Sequence, residues 1–289
     1  VFELYSVPSK GGTPLKLNAE LAEGGDVDYG SFQFSPDGLR VLYSADQETN
    51  DVWESYSVPS NGGTPVKLVA VEPVDGEYPG ENVDHYSLQF SPDGLDVLLS
   101  IAKNPAKSTW ELYSVPSTGG TPLKLNADLV DGGTVSWDFQ FSPNGSLVLY
   151  RADQEIDDVF ELYSVSSYGG IPVKLNAELV DGGIVSWGDF QFSPNGSLVL
   201  YRADQETNGV FELYSVPSEG GAPIRLNAEL VNGGDVDDNG LQFSPDGSRV
   251  LYLADQETNG VDELYSVPSE GGTPIKLNAA MVDGGDVDD

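Results

Sequence analysis

Residues 190–227 read FQFSPNGSLVLYRADQETNGVFELYSVPSEGGAPIRLN. Four short runs stand out, each rich in β-branched and aromatic residues and each closed by turn formers. The first is FQF (190–192, and again 139–141), the second LVLY (198–201 and 147–150). The third is VFELYSV (210–216 and 159–165), and the fourth has the form PLKLN (14–18 and 122–126). SPNG or SPDG joins the first two, and PSxGG joins the last two; in both, glycine supplies the positive φ of a tight turn. We refer to the four runs as strands a, b, c and d.

The unit recurs along the whole chain. Its Phe-Ser-Pro turn begins at Phe34, Phe90, Phe141, Phe192 and Phe243, in steps of 56, 51, 51 and 51 residues. The glutamate of strand c returns at Glu3, Glu54, Glu111, Glu161, Glu212 and Glu263. Self-similarity at this period marks units that stack on their neighbours to bury a shared core. Strand b is a nearly unbroken apolar run, Val148-Leu149-Tyr150 in one copy, which predicts cover on both faces. Strand d alternates, with Leu15 and Leu17 predicted inward and Lys16 outward, and it carries Pro14. Lysine and proline are how an outer edge strand refuses further pairing. A four-stranded antiparallel unit with covered centre and blunted edge is a propeller blade.

The expected fold is therefore all-β, a six-bladed-type β-propeller in one domain over 1–289. It holds an N-terminal half blade (1–18), five complete blades near 31–69, 86–126, 137–176, 188–227 and 240–278, and an acidic tail (279–289). The combined pattern FSPDGxRVLYxADQETNxxxELYSVPSxGGTPxKLN resembles the PD40 (WD40-like) repeat of TolB-like β-propellers. The likeness rests on the FSPDG turn, the third strand and a GG-x-P-x-x-L fourth strand, and it covers the whole chain. It implies either a non-catalytic, partner-binding module of the cell envelope or, as in some members, the propeller portion of a serine peptidase.

By phase, the chain lacks one a–b hairpin, the equivalent of 239–260, which is 22 residues. Three explanations stand open. The hairpin lies in a part of the protein outside this sequence, the chain is cut from a longer array, or strands from another molecule fill the place. Val1 already sits inside a repeat, so the natural chain is expected to extend upstream or to have been cleaved. In the third case, strand addition uses the open edge, and a head-to-tail contact that does not close gives a filament.

With 47 acids against 13 bases the net charge is −34, which argues against nucleic acid and anionic membranes as partners. The links after strands b and d, such as ADQETND (45–51), ADQEIDD (152–158) and AELVDGG (177–183), are predicted to share one end of each blade and carry the acidity. Lys16, Lys67, Lys124, Lys174, Arg225 and Lys276 share one strand-d position. Asp-Val-Asp places carboxylates at Asp26 and Asp28, Asp235 and Asp237, and Asp286 and Asp288. Oxygen clusters beside glycine turns suit Ca²⁺, although the spacing is not that of an EF-hand; solvated loop acids are the plainer reading.

Trp137 and Trp187 occupy matching links in adjacent repeats, placed either to stack on a partner or to pack on their own blade. The longest link, VEPVDGEYPGENVDHY (71–86), holds Glu77, Asp84 and His85, and the irregular AKNPAKST (102–109) brings Lys103 and Lys107 to the same end. Phe2 and Leu4 on the half blade complete the expected interaction residues.

Catalytic patterns are absent from the sequence. His85 is its only histidine, and it contains no cysteine, no G-x-S-x-G and no H-E-x-x-H. Carboxylates recur in every repeat, whereas an active site needs one asymmetric pocket. The expectation is a non-enzymatic, extracellular, cell-surface or periplasmic interaction protein without a resident cofactor. Its partner is either a further copy of itself or another protein.

Overall fold

The computed structural model describes residues 1–69, 87–104, 109–279 and 287. Among these residues there is no helix; the elements are 22 β-strands in six antiparallel sheets. A two-stranded sheet comes first, β1 (Tyr5–Ser6) with β2 (Leu15–Lys16). Five four-stranded sheets follow. The first runs β3 (Val27–Phe34), β4 (Arg40–Ala45), β5 (Glu54–Pro59), β6 (Val66–Lys67). The second runs β7 (Gln89–Phe90), β8 (Asp96–Asn104), β9 (Thr109–Pro116), β10 (Leu123–Lys124). In the third are β11 (Val135–Phe141), β12 (Leu147–Ala152), β13 (Glu161–Ser166) and β14 (Val173–Lys174). The fourth has β15 (Val185–Phe192), β16 (Leu198–Ala203), β17 (Glu212–Pro217) and β18 (Ile224–Arg225). The fifth has β19 (Gln242–Phe243), β20 (Arg249–Ala254), β21 (Glu263–Pro268) and β22 (Ile275–Lys276).

In each four-stranded sheet the strands lie side by side in chain order, as a meander of hairpins requires. Three details differ from the sequence reading. Strand a extends back into its link, so that β15 starts at Val185, with a register shift between Val185 and Phe190 where the strand bends. Strand d shrinks to two paired residues. Leu15, expected inward, is half exposed, and of the pair only Leu17 is buried; Leu15 lies against the turn glycine Gly62 of the next sheet, which brings no side chain to cover it.

The chain divides into two compact units, Val1–Phe141 with Ser166–Gly170, and Ser142–Val165 with Ile171–Asp289. One packing rule operates inside each. In the second unit, Leu200, Leu213 and Leu226 lie against Val236, Phe243, Val250, Tyr252, Tyr265 and Val267. Leu149, Leu162 and Leu175 meet Phe190, Phe192, Val199, Tyr201, Tyr214 and Val216 in the same way. In the first unit, Leu42 and Leu68 pack on Phe90, Val97, Leu99 and Val115. Leu4 and Leu17 of the two-stranded sheet cover Val41, Tyr43, Tyr56 and Val58. Strand alternation explains the rule: Leu200 faces one neighbour while Val199 and Tyr201 face the other. Full burial of each such side chain contributes about 1.5–3 kcal/mol.

Candidate interaction surface

The repeated polar residues form two sets, one on strands c and d and one in the links beside the start of strand c. In the fourth sheet Glu212 is buried and accepts from Tyr214 Oη at 2.9 Å and from Arg225 Nη1 at 2.8 Å. The third sheet has the same arrangement: Glu161 takes Tyr163 Oη and Lys174 Nζ, each at 2.8 Å, and Lys174 also reaches Glu155 at 2.7 Å. Glu3, Tyr5 and Lys16 repeat the triad in the two-stranded sheet. Every one of the six strand-d cations is thus tied to its strand-c glutamate.

The second set organises the links. Asp204 is buried and accepts from Ile184 N at 2.6 Å and Gly209 N at 2.8 Å, which staples the link after strand d to the link after strand b. Asp46 does the same with Asp26 N at 2.5 Å and Asp51 N at 2.9 Å. Both links of a repeat therefore sit at one end of the sheet, as the phase of the repeat implied. Asn227, at the end of strand d, accepts from Leu213 N at 2.9 Å and donates to Ala228 O at 2.9 Å. The invariant spacing of these aspartates and asparagines was in the sequence, but the backbone donors they serve were not readable from it.

The Asp-Val-Asp carboxylates have backbone work too. Asp26 Oδ1 accepts from Phe2 N at 2.5 Å, and Asp235 Oδ1 accepts from Phe211 N at 2.6 Å, so each holds the start of the preceding strand c. Asp237 caps a turn by accepting from Asn239 N at 2.7 Å, and Asp28 lies half-buried in β3. Asp286 and Asp288 lie outside the described residues. Among the described residues, the one group of three carboxylates with oxygens all within 4.8 Å of one another is Asp153, Asp157 and Asp158. It is a different set from the one the sequence pointed to. Asp153 is buried and its Oδ2 accepts from Asp158 N at 3.0 Å, while Asp157 and Asp158 are exposed.

Two arginines were missed by sequence reading because strand b offers nothing unusual around them. Arg151 is fully buried, donates to Val185 O at 2.7 Å and stacks over Phe160 at 4.0 Å. Arg202 donates to Val236 O at 2.6 Å and to Ser186 Oγ and Asp189 Oδ2, both at 2.9 Å. Burial pushes the Asp189 carboxyl above its ordinary value despite the arginine beside it. These groups tie strands together within the second unit.

A polar groove of about 320 Å³ in the second unit is bounded by turn residues that include Ser197, Asp246, Ser248 and Glu270. Ser244, Ser248 N–H and Ser248 Oγ all donate to Asp246 and hold its carboxyl down to about 2. So acidic a group stays ionised at neutral pH and has no proton to give.

Of the expected interaction residues, Trp137 and Trp187 are exposed on the extended strands β11 and β15. Glu77, Asp84 and His85 lie outside the described residues. Phe2 is exposed, while Leu4 is buried in the core beneath the first four-stranded sheet. The apolar side chains that the half blade leaves in solvent include Phe2, Tyr5 and Val7, at 62, 52 and 55% exposure. The counterparts of Tyr5 and Val7 in the fourth sheet, Tyr214 and Val216, are 1 and 0% exposed, because strand b and the neighbouring sheet cover them.

Comparison with solved structures decides what these sheets are. The chain is similar to Porphyromonas gingivalis dipeptidyl peptidase 4, with a TM-score of 0.62, 16% identity, and cover of 86% of this chain and 38% of that one. A Mycobacterium tuberculosis puromycin-hydrolyzing peptidase is similar with a TM-score of 0.55 and 14% identity, over 96% of this chain and 40% of that one. The sheets are β-propeller blades. A putative TolB from Agrobacterium tumefaciens is also among the similar structures, at a TM-score of 0.47 and 20% identity over 86% of this chain and 79% of that one. No family model matches the chain. No curated protein matches it either. The blades span about two fifths of each peptidase.

Proposed function

We propose that the chain is a non-enzymatic interaction protein that engages a protein partner through the two-stranded sheet of β1 and β2, in an extracellular or cell-envelope setting. The observation that carries this reading is the state of β1. Among the described residues it pairs with β2 alone, and Tyr5 and Val7 stand in solvent where Tyr214 and Val216 of the fourth sheet are buried. An open strand edge flanked by exposed apolar side chains is a site for strand addition. The self-assembling filament is the version of this reading in which the partner is a second copy.

The polar residues support the non-enzymatic part. Glutamates, aspartates and cations that recur in the repeats are committed to ion pairs and backbone amides within their own sheets and links. Catalysis needs a donor or acceptor left free for substrate, at a pKa suited to proton transfer.

Light scattering on the intact chain, with Val7→Asp beside it, tests the reading. Concentration-dependent assembly, or capture of a defined partner, that Val7→Asp abolishes is the expected result. A chain that stays monomeric and loses no partner on Val7→Asp would overturn it.

A further inference from the structure

The a–b turn of the four-stranded sheets comes in two chemistries. Asp37, Asp93 and Asp246 hold its third position in the first, second and fifth sheets, and Asn144 and Asn195 hold it in the third and fourth. Two residues further on stand Leu39 and Leu95, but Ser146, Ser197 and Ser248. The third and fourth sheets therefore combine asparagine with serine, as Asn144-Gly145-Ser146 and Asn195-Gly196-Ser197, which is the spacing of an N-glycan acceptor. No other asparagine of the sequence has a serine or threonine two residues on.

The turn uses only the oxygen of each amide. Asn195 Oδ1 accepts from Ser193 Oγ at 2.8 Å, Ser197 N at 3.0 Å and Ser197 Oγ at 2.8 Å. Asn144 Oδ1 accepts from Ser142 Oγ at 2.8 Å, Ser146 N at 3.0 Å and Ser146 Oγ at 2.7 Å. A backbone N–H can only donate, so the place of the oxygen is fixed and Nδ2 is turned from these donors. Among the described residues neither Nδ2 donates a hydrogen bond, and both asparagines are exposed. Aspartate fills the same turn in three sheets, so the fold does not require the nitrogen.

The three donors also favour negative charge on the oxygen they hold. Asp246 has the same set, Ser244 Oγ, Ser248 N and Ser248 Oγ, and its carboxyl is held down to about 2. When an amide nitrogen forms a new bond and sheds a proton, charge builds on its oxygen, and donors already in place stabilise it. Asn195 moreover borders the polar groove of about 320 Å³, with Ser197, Asp246, Ser248 and Glu270. Hydroxyls and carboxylates are the hydrogen-bonding partners that a sugar's own hydroxyls need.

Resting on the extracellular or cell-envelope setting proposed above, and not on the edge of β1, we propose that Asn144 and Asn195 are acceptor sites for an N-linked glycan. The donor class is a sugar carried on a polyprenyl pyrophosphate, met with its transferase on export. Nδ2 bonds to the anomeric carbon, and the C–O bond to the pyrophosphate breaks. The lipid pyrophosphate leaves with the electron pair, and the Nδ2 proton passes to a base of the transferase. The hydrogen bonds to Oδ1 persist, so the turn keeps its shape.

Mass spectrometry of the peptides that span 144 and 195 tests this in two preparations. One is the protein from its native source, and the other is the folded chain incubated with an oligosaccharyltransferase and its lipid-linked donor, beside a reporter peptide. A glycan at each site is expected in both. Asn195→Asp and Ser197→Ala should each remove the one at 195, and Asn195→Asp should melt as the parent does, because Asp246 shows that the turn accepts a carboxylate. Asp246→Asn, with Ser248 in place, should gain a glycan, whereas Asp37→Asn, followed by Leu39, should gain none. Unmodified asparagines in the native protein overturn the proposal. If the folded chain then accepts glycans from the transferase, the setting was at fault; if only the reporter peptide accepts them, the turn is no acceptor and the setting stands.

Discussion

Gly220 lies against Val173, the apolar residue on the outer strand of the preceding blade: a Cβ on Gly220 would stand 2.7 Å from Val173 Cγ1. Gly62 meets Leu15 at 2.7 Å and Gly119 meets Val66 at 2.6 Å by the same contact. The first glycine of PSxGG is thus required twice, for a left-handed backbone and for a close approach that keys one blade onto the next. Gly11 has the backbone conformation, φ +86°, but nothing within 4 Å of its would-be Cβ. Gly220→Ala is expected to cost about 2–4 kcal/mol, from roughly 1–2 for the left-handed residue and a similar amount for overpacking. Gly11→Ala should show the backbone part alone. Adding Val173→Ala to Gly220→Ala should return part of the loss, and urea denaturation of the three variants checks it. Additive losses would mean that the contact does not matter.

Acid should act unevenly on the a–b turns. Asp37, Asp93 and Asp246 accept hydrogen bonds from a serine hydroxyl and from a backbone N–H, which hold their carboxyls below the ordinary 3.8, for Asp246 at about 2. A depressed folded-state pKa gives stability that is present above the ordinary value and is lost as pH falls through the folded one, here between roughly 4 and 2. Asn144 and Asn195 make the same bonds without titrating, with Asn144 Oδ1 accepting from Ser142 Oγ at 2.8 Å and Ser146 N at 3.0 Å. The triple variant Asp37→Asn, Asp93→Asn, Asp246→Asn should keep its neutral-pH melting temperature and lose less of it between pH 4 and 2 than the parent. A parallel acid limb in the two proteins would contradict the assignment.

The Arg202–Asp189 pair is a buried one, with side chains 13 and 8% exposed. Arg202→Met strands a desolvated carboxylate and should cost about 3–5 kcal/mol at neutral pH. The sign of the pH dependence follows from Asp189, whose carboxyl burial raises above its ordinary value. A raised acid is best tolerated when protonated, so the penalty in Arg202→Met should shrink below the ordinary carboxylate range and grow as pH rises. Arg202→Met with Asp189→Leu should recover most of the loss. Thermal melts at pH 4 and pH 7 decide it; an identical penalty at both would show that the arginine acts by packing over Phe211 alone, where it sits 4.4 Å from the ring centroid.

Strand identity and blade order were legible because period-2 patterning, Ser-Pro-Asp/Asn-Gly and Pro-Ser-x-Gly-Gly recur with little change, and each copy confirms the next. The shared strand-d position of Lys16, Lys67, Lys124, Lys174, Arg225 and Lys276 was legible for the same reason. Repetition hid the rest. A residue present in every copy, such as Asp204 or Asn227, looks like surface composition until the structure shows its carboxylate or amide on a particular backbone N–H. Leu4 was placed with Phe2 as an interaction residue, because the pattern shows an incomplete blade but not which side chains the next blade covers. The extension of strand a back to Val185 was missed since Val-Ser-Trp-Gly-Asp carries a glycine and an aspartate, which read as a link rather than as a bent strand.

The acidic links also lead to a prediction about divalent cations. Asp153, Asp157 and Asp158 crowd within 4.8 Å, yet two of the three are exposed and water screens them. Asp153 is already occupied with the Asp158 amide, and Asp26 and Asp235 hold the amides of Phe2 and Phe211. A cation at any of these places would share its carboxylate with a backbone N–H that already engages one oxygen. Chelation by EDTA is therefore expected to leave the melting temperature unchanged, and added Ca²⁺ to raise it no more than an equal ionic strength of NaCl. Asp157→Asn should be neutral or slightly stabilising, since it removes like-charge repulsion, whereas Asp153→Ala should destabilise by about 1–3 kcal/mol through the orphaned Asp158 amide. A melting temperature that falls on chelation and returns specifically with Ca²⁺, and that Asp157→Asn makes insensitive, would establish a resident cation and reverse this ordering of roles.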